Sequence, residues 1–89
     1  MIVKQYRTPE EVIMREVGED TLLLNTQTHQ YYTLNMIGTR IIKLLTVNPS
    51  VDNVVDHIHM EYDASEAQIR KDVEGLIIKL QKHKLLELI

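Results

Sequence analysis

The chain has 89 residues, with no Cys, Trp or Phe, 44% hydrophobic residues, 26% charged residues and a formal net charge of −3. A chain of this length buries only about 60 to 65% of its unfolded surface, so its apolar side chains must share one core. We therefore predict a single domain over residues 1–89, with little room for a deep catalytic pocket. The absence of cysteine excludes a disulfide framework, a thiolate zinc site and a thiol nucleophile.

The hydropathy and charge of the chain narrow the classes of protein further. No apolar run approaches the roughly 20 residues of a membrane-spanning helix, and the first residues lack the apolar core of a signal peptide. These features favour a cytoplasmic protein. The acidic balance also lacks the basic surplus that binding to a phosphate backbone requires, which makes nucleic acid the weaker choice of partner.

The first third of the chain has the alternation of a β-sheet. We predict strands at residues 12–17, 21–25 and 29–34, separated by a turn that begins at Gly18 and by a polar break at residues 25–28. Short connections favour antiparallel pairing in chain order, so the third strand should lie at an edge of the sheet. Unpaired backbone groups at such an edge can accept another strand.

The rest of the chain has helical periodicity. We predict helices at residues 36–47, 51–62 and 66–83, with Asn35, Ser50 and Ser65 as their N-caps. The apolar tail at residues 85–89 must pack on the body of the domain or on another chain. Within residues 1–11 we predict a loop at Thr8 and Pro9 and an extended arm at residues 2–6. The predicted fold class is α+β: a three-stranded antiparallel β-meander followed by three α-helices, in a winged-helix-like arrangement.

The residue types that carry chemistry do not combine into a catalytic or metal-binding pattern. His57 and His59 are two residues apart on a helix, about 200° around its axis, so they cannot face one metal ion. Ser50 and Ser65 both begin helices, where capping explains them better than nucleophilic catalysis. The sequence therefore predicts no enzyme, no metal and no cofactor.

Two features of the sequence leave alternatives open. The last helix is basic, which can indicate a recognition helix for DNA or a solvated face whose cations favour the helix C-terminus; its basic residues are Arg70, Lys71, Lys79, Lys82 and Lys84. On the third strand, Tyr31 and Tyr32 face opposite sides of the sheet. Tyr32 shares the face of Leu34 and should be in the core, whereas Tyr31 either makes a cross-strand contact or belongs to a peptide-binding surface.

An ordered set of motifs resembles a known family pattern. A leucine-rich strand enters a turn, a tyrosine-bearing strand follows, "Leu-Asn" opens a helix with glycine three residues on, and "Asp-Val" precedes a leucine-rich end. In this chain the motifs are LNTQTHQYYTLN at residues 24–35, Gly38, Leu44-Leu45, Asp72-Val73, Leu76, Leu80 and Leu85-Leu86. The chain is similar in this way to the PqqD-like family, whose members are recognition elements for precursor peptides of ribosomally synthesised, modified peptides (RiPPs).

The resemblance covers residues 11–86 and has two departures. Gln27 lies in the second turn, where a glycine is common, and Lys84 precedes the final leucines, where a glycine is also frequent. The first departure concerns the geometry of the turn and not the family.

The resemblance implies a non-catalytic module that captures the leader segment of a precursor peptide and delivers it to modifying enzymes. The leader would be an added strand alongside the third strand, in a groove whose other wall is the third helix. A freestanding chain of this size is most similar to the recognition proteins of lasso-peptide pathways, whose partners are a leader peptidase and a cyclase. The peptide-binding residues that follow from the resemblance are Gln30, Tyr31, Tyr32, Thr33, Ile69, Arg70, Val73 and Ile77.

Among these residues, Arg70 is the expected partner of a leader carboxylate. Ile69, Val73 and Ile77 are either the floor of the groove or plain core residues. Three other functions stay open: a chaperone partner of a radical-SAM enzyme, a winged-helix DNA-binding regulator, and a dimerisation module that uses residues 85–89.

Overall fold

The computed structural model describes residues 4–89, so residues 2 and 3 of the predicted arm at residues 2–6 lie outside the described part of the chain. The described chain has five strands and three helices. In chain order they are β1 (Tyr6–Arg7), β2 (Val12–Val17), β3 (Asp20–Asn25), β4 (Tyr31–Leu34), α1 (Met36–Val47), α2 (Val51–Glu61), α3 (Glu66–Lys82) and β5 (Glu87–Leu88).

The main sheet is an antiparallel meander in the order β2-β3-β4, with the three helices following it in the chain. The first hairpin turns in a two-residue loop whose first residue, Gly18, has a φ of 64°, a conformation that glycine adopts without strain. The register pairs Met14 with Leu23 and Leu23 with Tyr32, so these side chains share one face of the sheet. The predicted α+β fold class is confirmed.

The strand at the sheet edge is shorter than the predicted strand over residues 29–34. β4 begins at Tyr31, because His29 has a φ of 63° and cannot continue an extended strand. The turn before β4 is closed by Asn25, whose Oδ1 accepts hydrogen bonds from the backbone N–H of Gln27 at 2.9 Å and of Thr28 at 3.0 Å. Residues 29 and 30, which the alternation of polar and apolar residues assigns to the strand, therefore belong to the connection before β4.

Helix α1 begins in direct contact with the end of β4. The Asn35 side chain caps the helix by accepting from the backbone N–H of Gly38 at 2.9 Å. A Cβ added at Gly38 would lie 3.1 Å from Leu34 Cδ2 and 3.2 Å from Leu34 Cβ. Glycine at this position therefore lets the first turn of α1 approach the buried Leu34, which gives the "Leu-Asn" motif and its following glycine a steric reason.

The helices and the sheet enclose one core. Helix α3 contributes its stripe of Ile69, Val73, Ile77 and Leu80, and α2 packs against it with Val54, Val55 and Ile58. Just after the end of α3, Lys84 lies in the left-handed region at φ 60°, and the backbone N–H of Leu85 bonds to the carbonyl of Leu80 at 2.8 Å. A glycine is common at that position because it adopts this φ without strain.

The apolar tail packs on its own chain. β5 pairs antiparallel with β1, so that Tyr6 lies opposite Leu88, and the backbone N–H of Ile89 bonds to the carbonyl of Gln5 at 2.9 Å. Leu85 and Leu86 are buried in the core. Within residues 4–89, none of the helices has the length and hydrophobicity needed to cross a membrane.

Candidate functional site

The outer edge of β4 presents unpaired backbone groups. The carbonyl of Gln30 accepts a hydrogen bond from the backbone N–H of Asn25 at 2.8 Å, which fixes the alternation of the ladder. Tyr32 and Leu34 therefore direct their N–H and C=O groups towards β3, and Tyr31 and Thr33 direct theirs away from the sheet. In the described part of the chain, no strand pairs with this edge.

The side chains of β4 lie on two faces of the sheet. Tyr31 is 65% exposed on the face away from the helices. Tyr32 faces the helices, and its ring meets the imidazole of His83 edge-on with a centroid distance of 5.7 Å. His83 is held at the end of α3 by a hydrogen bond between its Nδ1 and the carbonyl of Lys79, at 2.8 Å. Tyr32 thus connects the edge strand to α3.

A cleft of about 300 Å³ runs beside β4, between the strand, the start of α1 and the flank of α3. We call it the β4–α3 cleft. Its walls are mostly apolar, with Asp72 as the charged member. The lining residues are Tyr32, Thr33, Leu34, Asn35, Ile37, Gly38, Ile41, Asp72 and Leu76.

A second concavity of about 270 Å³ continues from the first towards the turn between α2 and α3. We call it the α2–α3 hollow. It shares Ile37, Ile41 and Asp72 with the β4–α3 cleft, so the two form one continuous trench. The other lining residues of the hollow are Ile58, Tyr62, Asp63, Ala64, Ile69 and Val73.

The strand residues among the predicted site lie together at the trench. Tyr32 and Thr33 line the β4–α3 cleft, and Tyr31 adjoins them on the edge strand. Gln30 is exposed in the turn immediately before β4. The predicted strand half of the site is therefore one contiguous edge.

The apolar helix residues of the predicted site belong to the core. Ile69, Val73 and Ile77 are 5%, 1% and 2% exposed. Ile69 and Val73 form part of the buried wall of the α2–α3 hollow, whereas Ile77 lines neither concavity. Ile77 is therefore a core residue, whereas Ile69 and Val73 are core residues that also line the hollow.

Arg70 lies on a different side of α3 from the trench. Its Nη1 is 2.9 Å from Asp52 Oδ1 on α2, and its Nη2 is 3.7 Å from Glu66 Oε1. The hydrogen bond to Asp52 raises the pKa of Arg70 above its usual value. Two residues along a helix are about 200° around its axis, so Asp72 faces the cleft where Arg70 does not. Arg70 is thus engaged with α2, and the structure does not bring it to the edge of β4.

Three residues in α3 or at its C-cap face β4 and are not among the site residues predicted from the sequence. Asp72, Leu76 and His83 follow one another at i, i+4 and i+11, a stripe adjacent to the core stripe. Asp72 Oδ1 accepts a hydrogen bond from Gln68 Nε2 at 2.9 Å, one turn before it. The "Asp-Val" motif could have indicated this face of α3, because its valine is in the core and its aspartate lies next to the core stripe.

The polar groups of the site do not form a metal centre. Across residues 4–89, no three His, Asp or Glu side chains come together as ligands of one ion. The arrangement offers instead a strand edge, an apolar cleft and a carboxylate, which are features of a peptide-binding surface.

Comparisons with known proteins give the chain a family and a fold. The family model described as Coenzyme PQQ synthesis protein D (PqqD) matches residues 20–86. The chain is similar to the structure of TbiB1 in complex with the TbiA(beta) leader peptide, with 27% identity, coverage of 91% of this chain and 94% of that chain, and a TM-score of 0.86.

A second structure, of a lasso peptide synthetase B1 complexed with the leader peptide, has 19% identity, coverage of 93% of this chain and 98% of that chain, and a TM-score of 0.85. At this identity the likeness shows the fold alone. No curated protein matches the chain.

Proposed function

This chain belongs to the PqqD family, and we propose that it is a non-catalytic protein that binds the leader segment of a ribosomally made precursor peptide and delivers it to modifying enzymes. The observation that carries the proposal is the open edge of β4 beside an apolar cleft against α3. An extended peptide can add to such an edge as a further strand.

In strand addition, the binding free energy comes from backbone hydrogen bonds along the strand and from side chains buried in the cleft. The N–H and C=O groups of Tyr31 and Thr33 give four backbone hydrogen bonds, which at about 1 kcal/mol each contribute about 4 kcal/mol. A micromolar dissociation constant corresponds to about 8 kcal/mol. The remainder, together with the cost of association, must come from side chains that bury apolar surface in the β4–α3 cleft.

The binding residues that we propose combine the predicted strand with a different face of α3. Gln30, Tyr31 and Thr33 supply the edge, and Tyr32 supports it from the side of the core. Asp72 and Leu76 replace Arg70 as the wall on α3, because they line the cleft. Ile69, Val73 and Ile77 support that wall from within the core.

The enzymes that receive the leader are proposed from the relatives. The similar structures are of TbiB1 with a leader peptide and of a lasso peptide synthetase B1 with its leader. One of these names points to a lasso-peptide pathway, which favours the leader peptidase and cyclase implied by the family resemblance over a radical-SAM enzyme. Because a ribosomally made precursor is produced in the cytoplasm, we place the binding step there.

The test is fluorescence polarisation with a labelled leader from the short precursor-like reading frame encoded nearest this chain. We expect selective binding with a dissociation constant in the micromolar range or tighter, and no binding of a scrambled leader. A folded protein, as judged by circular dichroism, that does not distinguish the two peptides would contradict the proposal. Binding to a duplex DNA control that weakens steeply with salt would favour a DNA-binding regulator instead.

A further inference from the structure

The charged side chains along the trench are all acidic. Asp72 lies where the β4–α3 cleft meets the α2–α3 hollow, and Asp63 lines the far side of the hollow. Of residues 4–89, no Lys or Arg lines either concavity. The neighbouring cations of α3, Arg70 and Lys71, do not line the trench, and Arg70 is held by Asp52 on α2.

The Asp72 carboxylate keeps its charge available to a ligand. Its one hydrogen bond within residues 4–89 comes from the neutral amide of Gln68, at 2.9 Å, and no cationic group of those residues lies within 4.0 Å. The other walls at this point are the apolar side chains of Ile37 and Ile41. A peptide docked here would displace water around the carboxylate, which strengthens its interaction with a charged neighbour.

We infer that Asp72, with Asp63, selects leader segments that place a Lys or Arg residue at the junction of the β4–α3 cleft and the α2–α3 hollow, and rejects segments with Asp or Glu there. This inference rests on the proposed function and states which charge the binding site prefers in the leader. A like charge buried opposite Asp72 is penalised, whereas an opposite charge is favoured. The preference is opposite to the one that a binding role for Arg70 would give.

The selectivity is confined to part of the trench. Lys79 is on the same side of α3 as Asp72 and seven residues further on, about 10 Å along the helix axis. An extended peptide covers that distance in about three residues. The preference for a cation should therefore decline within about three leader positions towards the C-terminal end of α3.

The experiment is a charge scan of the leader from the nearest precursor-like reading frame. Each residue is replaced in turn by Lys and by Glu, and each peptide competes with the fluorescein-labelled leader in fluorescence polarisation. For the wild-type protein we expect one position at which Lys binds at least about 5-fold more tightly than Glu. That difference should become smaller as the salt concentration rises.

Variants of the protein assign the preference to Asp72. We define the charge ratio as the affinity of the Lys peptide divided by the affinity of the Glu peptide at that leader position. D72N should reduce this ratio to near one, and D72K should bring it below one. The matched controls are E74Q and E74K, because Glu74 has the same charge on the same helix but lines a different concavity, beside Lys4 and Arg70. These control variants should leave the ratio unchanged.

The outcomes separate the inference from the proposed function. The inference is overturned if the leader binds with micromolar affinity but no position distinguishes Lys from Glu. It is also overturned if the Asp72 and Glu74 variants change the affinity ratio of the Lys and Glu peptides equally. Either result leaves the proposed function intact. A preference for Glu at the junction also overturns it. No selective binding of the leader to the folded wild-type protein overturns both.

Discussion

Asn25 is a buried polar residue that connects two distant parts of the chain. Its Oδ1 accepts from two backbone N–H groups of the turn before β4, and its Nδ2 donates to the carbonyl of Lys84 at 2.7 Å. One amide therefore shapes the approach to the edge strand and fixes that turn to the end of α3. Asn25 is only 1% exposed, so the loss of these bonds is not readily replaced by water.

We expect Asn25→Ala to lower the free energy of unfolding by about 3 kcal/mol, since three hydrogen bonds of about 1 kcal/mol each are lost. Asn25→Asp keeps the two acceptor contacts but turns the donor into an anion opposite the Lys84 carbonyl. Its deficit relative to wild type should shrink as the pH falls and the new carboxyl is protonated, because the protonated form can donate again.

Urea denaturation at pH 7 and pH 4 measures both effects. Gln27→Ala in the same turn is the control, because its side chain is exposed, and it should change stability by less than about 0.5 kcal/mol. An Asn25→Ala variant as stable as this control would show that the three bonds add nothing to stability.

At the scale of elements, the edge of β4 and the flank of α3 form the site together. The alternation of the ladder directs the N–H of Thr33 outwards and that of Tyr32 towards β3. Proline at Thr33 therefore tests ligand binding, and proline at Tyr32 tests the stability of the sheet. At Thr33 it removes a donor that only a ligand would use, and at Tyr32 it removes a bond of the sheet.

We expect Thr33→Pro to retain the fold and to weaken leader binding by about tenfold, because it removes one intermolecular hydrogen bond and crowds the added strand. Thr33→Ala keeps the donor and should have a smaller effect. Tyr31→Pro and Tyr31→Ala form a second pair with the same expectation. The measurement is fluorescence polarisation, with circular dichroism to verify folding.

If proline and alanine weaken binding equally in folded proteins, the leader does not use the backbone of β4. Tyr32→Pro serves as the structural control and should unfold the protein or lower its stability sharply, since its N–H belongs to the β3–β4 ladder.

At the scale of the whole molecule, the two ends of the chain close the core. β1 and β5 pair although they are separated by nearly the full chain, and Tyr6 also donates its backbone N–H to the carbonyl of Pro49 at 3.1 Å. Leu85 and Leu86, just before β5, belong to the core together with the buried residues of α3. The tail is thus an internal structural element in this chain.

Leu85→Ala should lower the free energy of unfolding by about 2 to 5 kcal/mol, the usual cost of a large-to-small substitution at a fully buried leucine. The matched control is Leu88→Ala, three residues later in β5 and 57% exposed, with an expected change below about 0.5 kcal/mol. Thermal and urea denaturation measure both. Equal, small effects would mean that the tail does not contribute to the core.

The sequence by itself determined the order of the six elements from β2 to α3 and the edge position of β4. It did not predict the short strands β1 and β5, because these are formed by pairing between the two ends of the chain. Period-two alternation, apolar stripes and caps are local properties, and short connections leave a meander as the simplest pairing. The motif around residues 24–38 also indicated the family, which the match over residues 20–86 shows.

Only the tertiary structure decided which flank of α3 meets the edge strand. The apolar stripe fixes the face of α3 that is buried, but it does not say which neighbour packs on either side of that face. Packing against α2 brings Arg70 to Asp52, and the opposite flank with Asp72 and Leu76 then lies beside β4. The docking of the tail was also decided by contacts between distant residues, through Asn25 to the carbonyl of Lys84 and through Tyr6 opposite Leu88. Such contacts leave no periodic trace in the sequence.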